Sequence, residues 1–170
     1  ANLEYTARII RLGCAGCANN LLIRGTPDPL NAIFRWDDYY SFQYARNGFF
    51  SVWKSIDGVE TAIQSWAYTD AIHQGDVWNT LRVFANGTSI YFTINGVLVW
   101  SGTDTSLSIG RAGIGMYGSN AAGDEIRVDW ATLYTDVDGM MMSETVSPEQ
   151  QQLNDAANLN PIGDETGLNP

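Results

Sequence analysis

The stretch "WNTLRVFANGTSIYFTINGVLVWSG", residues 78–102, restricts the fold more than any other part of the chain. Leu81, Val83 and Ala85 alternate with Thr80, Arg82 and Phe84, and Ile90, Phe92 and Ile94 alternate with Tyr91 and Thr93. Successive side chains of a strand leave on opposite faces, so this period of two belongs to half-buried strands and not to a helix. Asn-Gly stands at 86–87 and again at 95–96. Such a pair accepts the positive φ angles of a type I′ turn, whose twist matches the strands it joins. The segment is expected to be a three-stranded antiparallel meander.

The pattern recurs along the chain. Leu3 to Leu12 and Leu21 to Thr26 are apolar-rich runs separated by Gly, Cys and Asn, and Arg46-Asn47-Gly48 and Asp57-Gly58 punctuate the runs around them. Ala112 to Tyr117 is a glycine-spaced strand, and Glu125 to Tyr134 a long alternating one with Ile126, Val128 and Trp130 expected inward. About ten short strands, with no helix signal before residue 147, predict an all-β sandwich or barrel.

With 170 residues, 45% hydrophobic and 12% aromatic, the chain is long enough for one domain with a real core. No apolar run approaches the ~20 residues of a membrane helix, so no membrane insertion is expected. Seven of the nineteen acids and none of the nine bases fall after residue 135, which leaves −3 on residues 1–135 and −7 on 136–170. No basic stripe exists to neutralise phosphates, so nucleic acid is not an expected partner. The small residue Ala1 would suit a chain whose export signal has been removed.

Every Trp, Tyr and Phe lies before residue 136. The division is therefore a sandwich at 1–135 and an acidic, mostly extended C-terminal tail at 136–170. In "SPEQQQLNDAANL" Ser147 is placed to cap a short helix, with Pro148 first and Gln150 closing the cap. The tail is either a linker or an arm that docks on a neighbouring subunit through Leu153, Ala156, Ala157, Leu159 and the methionines at 140–142.

Cys14 and Cys17 sit in "GCAGCANN". A thioredoxin-type site needs a following helix, a structural zinc needs two further ligands where only His73 is on offer, and a c-type haem needs His where Ala18 stands. What remains is a local disulfide, expected to close a hairpin tip and to imply an oxidising compartment. No metal site follows. Asp37-Asp38 and Asp124-Glu125 read as loop charges or at most as hard donors for calcium, whose requirement the sequence leaves open. His73 lies in a polar loop, and no run of alternating acids like that of the β-glucanases occurs, so no catalytic residue is proposed.

"YYSFQYARNGFFSVWK", the 78–102 meander and "GRAGIGMYG…GDEIRVDWATL" together resemble the concanavalin A-like lectin/glucanase superfamily, in particular its laminin-G-like and family 1080-like secreted bacterial modules. The resemblance covers residues 1–135. It implies a jelly-roll sandwich of two antiparallel sheets that binds a glycan or a cell-surface polymer, without catalysis, outside the cell or on its surface. Leu3 to Leu12 already looks like an interior strand, and a missing opening strand would leave an edge that recruits other chains. A structural subunit of an extracellular filament, joined through that edge and the tail, is the alternative. A sugar site would combine stacking aromatics with orienting polar groups, and Trp36, Asp37, Asp38, Tyr39, Gln43, Trp53, Gln64, Trp66 and Tyr68 are the candidates. Trp78, Trp100 and Trp130 are assigned to structure.

Overall fold

The computed structural model describes residues 2–27, 30, 36–117 and 123–136. Among these residues ten strands follow one another: β1 (Leu3–Leu12), β2 (Asn19–Gly25), β3 (Tyr39–Ala45), β4 (Phe49–Ile56), β5 (Val59–Tyr68), β6 (Asn79–Asn86), β7 (Ser89–Ile94), β8 (Val97–Thr103), β9 (Arg111–Met116) and β10 (Glu125–Thr135). None of the described residues is helical. The strands form two antiparallel five-stranded sheets, ordered β10-β1-β6-β7-β8 (sheet A) and β5-β4-β3-β2-β9 (sheet B). This is the jelly-roll sandwich expected. Beyond Asp136 the acidic tail, with its expected helix at 147–159, lies outside the described residues.

Local chemistry explains the hairpins. Asp57 and Gly58 (φ 51° and 76°) and Asn95 and Gly96 (φ 50° and 83°) join paired strands as two-residue turns with both central φ angles positive, as type I′ requires. The 86–87 expectation is off by one residue. Asn86 pairs with Ser89, so the turn is Gly87-Thr88 with only Gly87 at positive φ, the pattern of type II′.

Leu3, Tyr5, Ala7 and Ile9 from β1, Leu81, Val83 and Ala85 from β6, and Ile90, Phe92 and Ile94 from β7 meet Leu21, Ile23, Tyr40, Phe42, Tyr44, Phe50 and Val52 of sheet B. Phe42 meets Phe92 edge-on at 5.5 Å and packs on Trp100. Trp100 is thus structural, as assigned.

Three expectations change. β1 and β2 belong to different sheets, so Cys14 and Cys17, which are disulfide-bonded with Cα atoms 5.5 Å apart, staple a crossover and not a hairpin tip. Trp130 points away from the core: the register against β1 shifts between Arg8 and Ile9, so Trp130 faces Arg8 while Val128 faces Ile9. Strict alternation cannot anticipate such a bulge. Third, Asp124 is no loop charge. It pairs with the fully buried guanidinium of Arg11 at 3.0 Å and accepts the Cys14 amide at 2.7 Å, while its neighbour Glu125 holds Arg127. At the far end of β2 the buried Arg24 donates to Leu107 O (3.0 Å) and Gly87 O (2.7 Å). Both arginines satisfy a buried charge by tying down a connection between the sheets.

Candidate functional site

Alternation sorts sheet B. Because Leu21, Ile23, Tyr40, Phe42, Tyr44, Phe50 and Val52 enter the core, Asn20, Tyr39, Ser41, Gln43, Ser51, Trp53 and Ser55 lie on the outer face. These outer residues are uncharged, and Asn20, Ser41, Gln43, Ser51 and Trp53 are joined to one another. Trp53 Nε1 donates to Ser51 Oγ at 3.0 Å, Ser51 Oγ to Gln43 Oε1 at 3.2 Å, and Gln43 Nε2 to Ser41 Oγ at 3.0 Å. Asn20 Nδ2 completes the row by donating to Ser41 Oγ at 3.0 Å. Among the described residues, Asn20 Oδ1 has no hydrogen-bond partner. A Cβ on Gly115 of β9 would come within 2.5 Å of that oxygen, so glycine there keeps it clear.

The face is a trough. β5 and β9 are opposite edges of the sheet, roughly 19 Å apart were it flat, yet Tyr117, just past β9, donates to Glu60 Oε1 of β5 at 2.8 Å. The sheet must therefore curl. The Tyr39 hydroxyl donates to the same oxygen. Burial first, and then the bond to Glu60, push the Tyr39 phenol far above its ordinary range, so it stays a donor. Trp36 lies against backbone: a Cβ on Gly25 would meet its ring at 2.2 Å, and one on Gly113 at 2.7 Å.

No family model matches the sequence, and no curated protein does. Solved structures do match. A carbohydrate-binding module from Bacillus subtilis (CBM66) superposes with a TM-score of 0.62 over 79% of this chain and 76% of its own, at 18% identity. Sheep galectin-11, solved with glycerol, gives 0.57 over 78% and 90% at 12% identity. A Bacillus licheniformis β-glucanase gives 0.51 over 75% and 64%, also at 12%. The fold is that of the concanavalin A-like lectins and glucanases. Identities this low establish the fold alone, and they do not single out the laminin-G-like branch. A concanavalin A-like sandwich hosts both binding modules and hydrolases, so what this one does rests on its own residues.

The sandwich brings together some of the sequence candidates. Tyr39, Gln43 and Trp53 share the trough, and Trp36 lies on its β2/β9 flank. Gln64, Trp66 and Tyr68 belong to the edge strand β5, where Trp66 and Tyr68 are exposed and flank the inward Ala67. Tyr68 packs edge-on against Phe49 at 5.6 Å and accepts from Gln74 Nε2. Asp37 and Asp38 hold the β4–β5 turn: Asp38 Oδ1 accepts the Asp57 amide at 2.8 Å and Asp37 O accepts the Gly58 amide at 3.0 Å. Sequence reasoning missed Asn20, Ser41, Ser51, Glu60 and Tyr117; their outward parity on β2 to β5 was the available signal, Tyr117 apart.

Proposed function

We propose that the outer trough of sheet B is a carbohydrate-binding surface and that the protein is a non-catalytic, lectin-like module exported from the cell. The observation that carries this reading is the row Asn20–Ser41–Gln43–Ser51–Trp53. Amides and hydroxyls offer both donors and acceptors, as a sugar's hydroxyls demand, and Trp53, Trp66 and Tyr68 offer ring faces for stacking. Hydrolysis by paired carboxylates has poor support, because the five strands of sheet B carry one acid, Glu60, and two tyrosines occupy its Oε1. The disulfide favours an oxidising compartment, and the binding module and galectin among the structural neighbours agree with a sugar ligand. The exposed edge of sheet A supports a second reading, self-association, developed below.

The test is affinity electrophoresis and calorimetry against a soluble β-glucan, a xylan and a mannan, alongside a glycan array. The expected result is retention by at least one glycan with no release of reducing sugar. Trp53→Ala should weaken retention about tenfold, roughly 1.4 kcal/mol, and Tyr91→Ala on the other sheet should not. No retention in any arm would refute the reading.

A further inference from the structure

β10 is the longest of the four strands that end the two sheets. β10 is the last strand of sheet A and, among the described residues, pairs only with β1. It is 11 residues long and carries neither the Lys nor the Pro that commonly blocks edge pairing. Its register against β1 turns Ile126, Val128, Ala131 and Leu133 toward the core side, opposite Arg11, Ile9, Ala7 and Tyr5. Those β1 residues are buried, yet Val128 and Leu133 remain 45% and 48% exposed. A core-facing apolar stripe and an unpaired backbone edge thus coincide on one strand. On the other face, Trp130 and Tyr134 are 42% and 56% exposed.

We propose that β10 is a homodimer interface, pairing antiparallel with β10 of a second copy about a twofold axis between Asp129 and Trp130. This occupant is favoured because the strand complements itself. Rotation about that axis sets Ile126 opposite the partner's Leu133 and Val128 opposite the partner's Ala131, apolar on apolar along the core side. On the outward side Glu125 meets the partner's Tyr134 and Arg127 the partner's Thr132, with no like charges opposed. The charges along the strand are also paired within each copy, Arg8 with Asp129 and Arg127 with Glu125, so the edge is locally neutral on a chain of net charge −10. Sheet A would then continue as ten strands across the dimer. An isologous contact of this kind closes on itself, so it yields a dimer and not a filament.

The register makes the test specific. Opposed residues of an antiparallel pair have Cα atoms about 4.5–5.5 Å apart, within disulfide reach. A mixture of full-length Val128→Cys and Ala131→Cys chains should form an inter-chain bond on oxidation, while either variant alone should not. Light scattering should give twice the chain mass, and Val128→Lys or Leu133→Lys should lower dimer affinity at least tenfold with the melting profile of the monomer retained. A monomer at high concentration, dimers indifferent to both Lys variants, cross-linking by one variant alone, or open-ended polymers would each overturn the proposal. So would a monomer whose β10 amides resist hydrogen exchange, because another segment of the same chain would then hold the edge.

Discussion

Replacing Asp124 by Ala should be among the most damaging single changes outside the aromatic core. The Arg11 side chain is 0% exposed and Asp124 7%, and their charged atoms lie 3.0 Å apart. Arg11 also donates to Leu12 O, Asn19 Oδ1 and Tyr117 O at 3.1–3.3 Å, so its position is fixed by four partners. Removing the carboxylate leaves the guanidinium buried without its counter-charge and orphans the Cys14 amide. Breaking a buried pair from one side destabilises by about 3–5 kcal/mol, a large share of the roughly 5–15 kcal/mol available to a domain. At roughly 2–4 °C per kcal/mol, the melting temperature should drop by about 6–20 °C. Urea unfolding followed by tryptophan fluorescence, with calorimetry in parallel, measures it. The double variant Arg11→Met with Asp124→Leu should recover most of the loss, because it removes the stranded charge instead of exposing it. A loss below about 1 kcal/mol for Asp124→Ala, or no recovery in the double variant, would refute the argument that charge burial sets the penalty.

Two further outcomes are expected. Burial alone would raise the Asp104 carboxyl, but hydrogen bonds with Lys54, Ser106 and Tyr40 outweigh it and hold the group well below the usual carboxylate range. Its contribution to stability is therefore present above an unfolded value of about 3.9 and is lost as pH falls below that; melting between pH 5 and 2 should decline less steeply in Lys54→Met than in the parent. Gly25→Ala should expel Trp36 from the sheet, because the new Cβ would lie 2.2 Å from the ring, and the tryptophan emission should shift to the red. Gly16→Ala, whose nearest neighbour would be 3.7 Å away, is the control that should change neither emission nor melting.

How far the sequence announces this fold depends on the range of the interaction. Asp57-Gly58 and Asn95-Gly96 are legible because the turn is decided by the residues that form it. Gly87-Thr88 is displaced by one because Asn86 pairs with Ser89, a choice made by the two strands together. The same holds for Trp130, whose outward direction follows from a register shift against β1, about 120 residues away in sequence. That β1 and β2 part into different sheets was equally hidden, since Gly-Cys-Ala-Gly-Cys reads as a turn whether the chain returns on itself or crosses over. Local rules thus recover ten strands, and the partner of each strand supplies what they omit.

The site follows the same division. Tyr39, Gln43 and Trp53 stand out in sequence because large aromatics and an amide at outward positions are conspicuous, whereas Ser41, Ser51 and Asn20 say nothing individually. They become a row only through pairing, which sets Asn20 beside Gln43, Ser41 beside Trp53 and Gln43 beside Ser51. Tyr117 and Glu60 are further removed, since they meet only when the sheet curls enough to bring its two edges together. The register that aligns this row is the one that buries Phe42 and Tyr44 on the opposite face of the same strand. A slip of one residue in β3 would send Gln43 into the core and Phe42 into the trough, exchanging an amide for a phenyl ring in both places. Core and trough are therefore specified together, and a substitution that loosens β3 should disturb the outer row even where it touches none of its members.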